Sequence, residues 1–424
     1  MLLRERRCFV SVPQCFRCGT WCVGAPGQGR TLIGRRAWPG SPGRYARRTM
    51  SAIRIRAAVL DRPGIASRVE ELDLDEPRSG EVRVRMLASG VCHSDLHVRD
   101  GEWDRPGPIV MGHEGAGIVE ALGPGIDPAT TGLDVGCLVA LAWTTPCGRC
   151  RSCLAGRTWE CPDSPSYSHL MPDGTSRLER AGRGGDVFSY CAIGTMAEAQ
   201  VVPVAAAIPM PDGTPPEVAA LIGCCVATGV GAVAKTVDIA PDATVAVIGL
   251  GGVGLSAVMG ATLVGAGRII AVDRVAAKLD LARAVGATDT VMAGDDASST
   301  VAAIRDASDG GPDVCVEAIG LPSTIEIAIG CLPNGGTALL VGMTPFGARA
   351  SFEVFPFVDG GRRIVGSNYG SSVPAVDFAR YARLHLEGRL PVERLVTDRI
   401  GLDDVEAAFD RMRRGEGVRS VVTF

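Results

Sequence analysis

Residues Thr244-Val-Ala-Val-Ile-Gly249-Leu-Gly251-Gly-Val-Gly254 decide the fold of half of this chain. An apolar, β-branched run enters G-x-G-x-x-G and leaves through a helical pattern over Leu255–Val264, the order in which a strand turns into a helix beneath a dinucleotide. Gly249, Gly251 and Gly254 permit the tight turn, close approach to a pyrophosphate and tight helix-on-strand packing, with Gly252 and Val253 completing the turn. The helix N-terminus supplies positive potential. The glycine pattern alone is weak. Here it is followed, 19 residues after Gly254, by Asp273 at the end of Arg268-Ile-Ile-Ala-Val-Asp273. A carboxylate in that place accepts ribose hydroxyls and repels a 2′-phosphate, so NAD is expected over NADP, with the neighbouring Arg274 as the one opposing charge.

Outward from this stretch, Ala-rich helical segments alternate with β-branched runs at Thr244–Ile248, Arg268–Val272, Val314–Glu317 and Thr337–Val341. That alternation predicts an α/β, doubly wound parallel sheet, a Rossmann cofactor domain, over residues 226–368. Upstream, from Ser51 to about Val202, short alternating segments such as Glu81-Val-Arg-Val-Arg-Met86 lie between turn signals (Pro63-Gly64, Gly123-Pro-Gly125, Pro172-Asp-Gly174), which predicts a β-rich domain. Helical segments around Phe378–Leu386 and Leu402–Arg413 precede a final strand-like Arg419-Ser-Val-Val-Thr-Phe424.

The 424 residues are 46% hydrophobic and 21% charged, enough for two ordinary cores. Residues 1–49 hold ten Arg and one acid, so the remainder carries 33 of the 43 basic residues and 46 of the 47 acidic ones. So acidic a body excludes a nucleic-acid-binding role, which needs clustered Lys and Arg. No apolar run reaches the length that spans a bilayer, so no membrane partner is expected. Fifteen Cys in a chain without a secretory leader point to reduced thiols, metal ligation and a cytoplasmic location. The head, 1–49, has no apolar period and is expected to be a disordered or spurious extension ahead of Met50. Its alternatives are an organellar transit peptide, which would change the location, and a small zinc knot on Cys15-x2-Cys18.

Cys147-x2-Cys150-x2-Cys153-x7-Cys161 offers four thiolates on a tight loop, which can close tetrahedrally around one Zn²⁺ with no open position. A closed site is structural. Three of the five His (His93, His97, His113) fall within 21 residues, beside Cys92. A Cys/His pair with one more distant Cys would make the three-ligand, open set of a catalytic zinc.

At these residues the chain resembles a known family. Gly112-His113-Glu114-x2-Gly117-x5-Gly123-x2-Ile126 is similar to the zinc signature of the medium-chain alcohol dehydrogenases, and Leu221-Ile-Gly-Cys224-Cys225-Val-Ala-Thr-Gly229 resembles their third-ligand segment. The resemblance covers nearly all of residues 51–424 and implies a GroES-like catalytic domain (51–225 with 369–424). It implies Cys92, His113 and Cys224 as catalytic zinc ligands, Glu114 behind them, and Asp95 as the acceptor that orients His113. It implies Ser94 and His97 as a proton relay, and His93 and Arg419 as contacts to the cofactor pyrophosphate. Lys278 is implied beside the adenosine ribose and Trp143 as a wall of the alcohol pocket. Two zinc ions per chain and NAD follow. Met171-Pro-Asp-Gly-Thr-Ser-Arg177 looks like the longer, dimeric branch, so a homodimer is expected.

The reaction implied is reversible oxidation of a primary or secondary alcohol, possible substrates including aromatic and terpenoid ones, to aldehyde or ketone with hydride passing to NAD. The alternative is a thiol-dependent formaldehyde dehydrogenase acting on an S-hydroxymethyl adduct. Glu102 and Asp104 stand where that branch keeps acids, but the Cys92-to-His113 spacing is one residue shorter than expected for it, and no basic anchor for a thiol's carboxylate stands out in the sequence.

Overall fold

The computed structural model describes residues 52–294 and 296–424. All readings of residues 1–49, their cysteines included, lie outside the described residues.

The β-branched runs of the second half form a six-stranded, all-parallel sheet. Its spatial order is Asp289–Met292, Arg268–Asp273, Thr244–Ile248, Val314–Glu317, Thr337–Leu340, Arg363–Gly366. Numbered along the chain this is 3-2-1-4-5-6, the dinucleotide-binding order, and its reversal lies between Thr244–Ile248 and Val314–Glu317. The two central strands pair in parallel from Val245↔Val314 to Ile248↔Glu317 and are buried along that length, as helices on both faces require. Helix Gly252–Val264 starts three residues earlier than the apolar pattern predicts, because Gly251 caps it and Gly252 and Val253 already turn helically. The edge strand Arg363–Gly366 was not foreseen, since four residues, Arg-Ile-Val-Gly, are too short to show alternation.

The first half is β-rich. A closed barrel runs through Ile53–Leu60, Arg68–Leu74, Leu178–Arg180, Asp186–Ser189 and Ile109–Val110, and a seven-stranded sheet has Glu81–Gly90 at its centre. That central strand pairs with Glu114–Leu122 and Ala199–Pro203 and, near its end, with Arg419–Thr423. The C-terminal segment thus returns to the first domain.

The helical stretch Pro216–Thr236 runs without a break through the expected boundary at 225/226. It is long and apolar enough to cross a membrane, contrary to the expectation that no segment would be, but 83% of its apolar window is buried inside the protein. Leu221, Ile222 and Val226 join one core with Ala88, Ala116 and Ala140 of the β-rich sheet and with Val245, Leu255 and Val258 of the parallel sheet's layer. It is a core helix shared by both halves.

Candidate active site

Cys92 sits in extended conformation immediately before the short helix His93–Arg99. Asp95, one turn in and fully buried, reaches back to accept the Cys92 N–H at 3.1 Å. Its other oxygen accepts the Gly112 N–H at 3.2 Å and faces His113 Nδ1 at 3.1 Å. One carboxylate therefore fixes the helix start, the turn before His113 and the ring itself. With Nδ1–H donated to Asp95, Nε2 keeps its lone pair for a metal.

Cys224 lies in a π-helical turn, Ile222–Val226, of the shared helix, the kind of irregularity that concentrates at functional sites. Its neighbour Cys225 donates back to the Leu221 carbonyl at 3.6 Å. Ligand atoms of Cys92, His113, Glu114 and Cys224 all lie within 4.8 Å of one another, and all four residues are buried. Gly90 makes room for them, because a β-carbon there would fall 2.1 Å from Glu114 Oε2.

The electrostatics suit a cation. Cys92 is held well below the ordinary thiol range, first by the hydrogen bond from the Cys224 thiol and then by the positive charge of Arg419 and His113. Burial pushes Glu114 up to about 7 although Arg419 pulls it down, and neither carboxylate oxygen has a hydrogen-bond partner. Two neighbouring buried cysteines, one of them favoured as the thiolate, an imidazole with an aimed lone pair and a buried carboxylate form a donor set that fits Zn²⁺.

The second cysteine cluster is separate. The sulfurs of Cys147, Cys150, Cys153 and Cys161 lie within 4.8 Å of one another. Backbone N–H groups support them: Cys147 N–H points to Cys161 Sγ at 3.3 Å and Cys150 N–H to Cys147 Sγ at 3.3 Å. The amides of Arg149 and Cys150 draw the Cys147 thiol down to about 7, whereas burial and its sulfur neighbours push Cys153 up to about 12. Sulfurs this crowded fit one cation with every position filled.

Asp273 Oδ2 accepts the Leu250 N–H at 2.8 Å and Oδ1 the Val275 N–H at 3.0 Å, so its carboxylate is anchored beside the glycine turn with further lone pairs on both oxygens. Gly249 takes φ +90°, and a β-carbon on Gly254 would meet the Gly249 oxygen at 1.7 Å. Lys278 lies half-buried on the helix that follows Asp273.

Arg419, 4% exposed, joins the two clusters of function. It donates to the Val91 carbonyl at 3.0 Å, lies 3.3 Å from Glu114 Oε1 and 3.6 Å from Cys92 Sγ, and its Nε faces Gly252. The resemblance implied only the cofactor side of this contact.

His97 stacks on Trp103 at 4.6 Å, its Nδ1 is engaged by the Glu102 carboxylate, and His93 meets its ring edge-on at 5.4 Å. Ser94 is half-buried on the same short helix and His93 is exposed. Trp143 packs against Tyr369 at 4.5 Å with its indole N–H unpartnered. Sequence reasoning missed Tyr190, edge-on to His113 at 5.5 Å, and His169, stacked on Tyr190. It also missed Trp103, whose indole N–H donates to the Thr344 carbonyl of the parallel-sheet half at 3.1 Å.

Comparison with known proteins fits this geometry. The alcohol dehydrogenase GroES-like domain matches residues 78–212 and the zinc-binding dehydrogenase domain matches residues 252–385. The NDMA-dependent alcohol dehydrogenase of Amycolatopsis methanolica is 33% identical over 374 residues, 87% of this chain and 99% of that protein. This chain belongs to the zinc-containing alcohol dehydrogenase family. The S-(hydroxymethyl)glutathione dehydrogenase of a Synechocystis strain is 34% identical with the same coverage of both chains. The crystal structure of an alcohol dehydrogenase zinc-binding domain protein from Burkholderia ambifaria superposes with a TM-score of 0.82 at 34% identity, covering 88% of this chain and all of its own. The enzyme is thus an oxidoreductase of the zinc and nicotinamide type.

Proposed function

We propose that the enzyme oxidises a primary or secondary alcohol, reversibly, to the aldehyde or ketone, with NAD⁺ as the acceptor and two zinc ions per chain. The observation that carries this is the buried cluster of Cys92, His113, Glu114 and Cys224, tied through Arg419 to the glycine turn. Cys92, His113 and Cys224 would hold a zinc ion, which would supply Lewis acidity toward an alcohol oxygen, while a bound nicotinamide would supply the hydride acceptor. Asp95 keeps His113 in the ligating tautomer. The His97 Nδ1–H is held by Glu102, which leaves Nε2 to receive the proton passed on from Ser94. Arg419 and the Gly249–Gly254 turn seat the pyrophosphate, Asp273 with Lys278 the adenosine ribose, and Trp143 with Tyr190 walls the dry pocket. Cys147, Cys150, Cys153 and Cys161 hold the second, structural zinc.

A homodimer belongs to the same proposal. Arg363–Gly366 leaves an open sheet edge, and the helix leading into it exposes Val354 (63%), Phe355 (76%) and Val358 (71%). Light scattering on the purified enzyme, with Phe355→Glu as a disrupted control, tests it.

A second reading, oxidation of an S-hydroxymethyl thiol adduct, is favoured by the similarity to the Synechocystis enzyme. Zinc-replete enzyme with NAD⁺ and a panel of ethanol, benzyl and terpene alcohols and hydroxymethylglutathione, followed by NADH absorbance, separates the two. No turnover of any of them would sink both.

A further inference from the structure

Among the described residues Arg105 has no counterion. It lies in the loop between the helix His93–Arg99 and the strand Ile109–Val110, and its guanidinium carbon sits 5.6 Å from the Trp103 ring centre and 5.9 Å from that of Phe346. Its one hydrogen bond goes to the carbonyl of its own neighbour, Asp104, at 2.8 Å, while its Nε is shielded from solvent and unpartnered. No carboxylate among the described residues comes within ion-pair distance of it, whereas Arg99, Arg177, Arg180 and Arg413 are all paired. An arginine half-withdrawn from water with an idle donor leaves desolvation unrepaid, and a planar anion is what the guanidinium fork is shaped to accept.

Its place gives that vacancy a use. Trp103, beneath the guanidinium, stacks on His97 and donates to the Thr344 carbonyl of the parallel-sheet half. Phe346, two residues beyond Thr344, is 72% exposed and lies 6.5 Å from the Trp103 ring. On the inner side, Arg105 is close enough to act on the zinc-site neighbours: burial first, and then its positive charge, pushes the His169 imidazole down to about 3, and the same charge opposes the burial-driven rise of Tyr190. Tyr190 is the ring that meets His113. The guanidinium therefore stands one aromatic layer from His97, through Trp103, and acts on Tyr190, the ring against His113.

We propose that Arg105 is the anion receptor of the cleft and selects alcohols and aldehydes whose far end carries a carboxylate. This rests on the alcohol-oxidising reading above and narrows its substrate class. Arg105, seated over Trp103 and Phe346, would hold the carboxylate, leaving the carbinol end to face the buried cluster. A small aryl carboxylate and a carboxylate of a thiol adduct present the same group.

The test compares 4-(hydroxymethyl)benzoate with its methyl ester, which has the same carbinol and no charge, and measures hydroxymethylglutathione alongside. The zinc-loaded enzyme should favour the acid over the ester in kcat/KM, and Arg105→Gln should lower that ratio about 10- to 100-fold, mostly through KM, with Arg105→Lys in between. A ratio is taken within each variant, so a loss of folded protein cancels. Calorimetric titration with benzoate and with S-methylglutathione, neither of which can be oxidised, reads anion binding alone and distinguishes the two sources. If Arg105→Gln weakens benzoate binding while no alcohol is turned over, the anion site stands and the reaction assignment fails. If alcohols are oxidised but the acid-to-ester ratio is the same with and without Arg105, the anion site is overturned.

Discussion

A β-carbon on Gly252 would lie 2.5 Å from Arg419 Nε. The two residues are 167 positions apart, and the glycine is what lets the arginine lie under the turn that opens the cofactor helix while its other nitrogens reach Val91, Cys92 and Glu114. Gly252→Ala should displace the guanidinium and raise the KM for NAD⁺ by about tenfold or more, the scale of a lost charge-assisted contact, while zinc content stays at the wild-type value. Cofactor titration by NADH fluorescence together with metal analysis checks both parts.

Asp273 is bound to the backbone at Leu250 and Val275, so its charge is fixed in place. Asp273→Gly should lower the preference for NAD over NADP, expressed as a ratio of kcat/KM values, by about 10- to 100-fold. An unchanged ratio would show that something else selects the cofactor.

Metal analysis should find about two zinc per chain, the complement of one open and one closed site. Cys150→Ala should lose one of them and fall in melting temperature, and Cys92→Ala should lose the other with activity but keep its melting temperature closer to wild type.

Asp95→Asn preserves shape but replaces the acceptor that holds His113 Nδ1–H. Loss of such a partner typically costs about 10- to 100-fold in metal affinity or activity. A competition titration with a zinc chelator, compared with wild type, reads the affinity directly.

His169 gives a pH signature of stability. Burial holds its folded value at about 3 against an ordinary 6.5, and its Nδ1 accepts the Cys191 N–H at 3.1 Å. As pH falls below 6.5 the unfolded chain takes up a proton that the folded chain refuses, so stability drops by about 1 kcal/mol per pH unit until the folded value is reached. His169→Gln keeps an acceptor for Cys191 without titrating. Its denaturant midpoint should vary less between pH 6.5 and about pH 4 than that of the wild type, and equal slopes would refute the assignment.

The parallel-sheet half is legible in the sequence because its signals are local: β-branched runs, a glycine turn whose backbone tolerates no side chain at Gly254, and an acid at a strand end. The cysteine spacing of the quartet is likewise a property of one loop. The π-turn that carries the two adjacent cysteines is not, for nothing in Ile222-Gly-Cys-Cys-Val226 marks it, and only the resemblance singled out Cys224. Trp103, Arg105, Tyr190, Thr344 and Phe346 come together through tertiary packing of loops far apart in the chain, with no periodicity to announce them. Glu102 could be named in advance as an acid, but not as the partner of His97, because that contact depends on how the loop after Arg99 folds back.

The helix Pro216–Thr236 bears on how this protein could be divided. Its backbone lies against both halves: a β-carbon on Gly223 would strike the Leu141 carbonyl at 2.8 Å, and one on Gly229 the Val253 carbonyl at 2.2 Å. Two recognisable domain families meet in this chain, yet between them there is a seam and no linker. A recombinant exchange of cofactor domains cut at residue 225 would graft a helix whose one side was fitted to a different partner. The workable crossover is one that carries this helix together with the surfaces on which it lies.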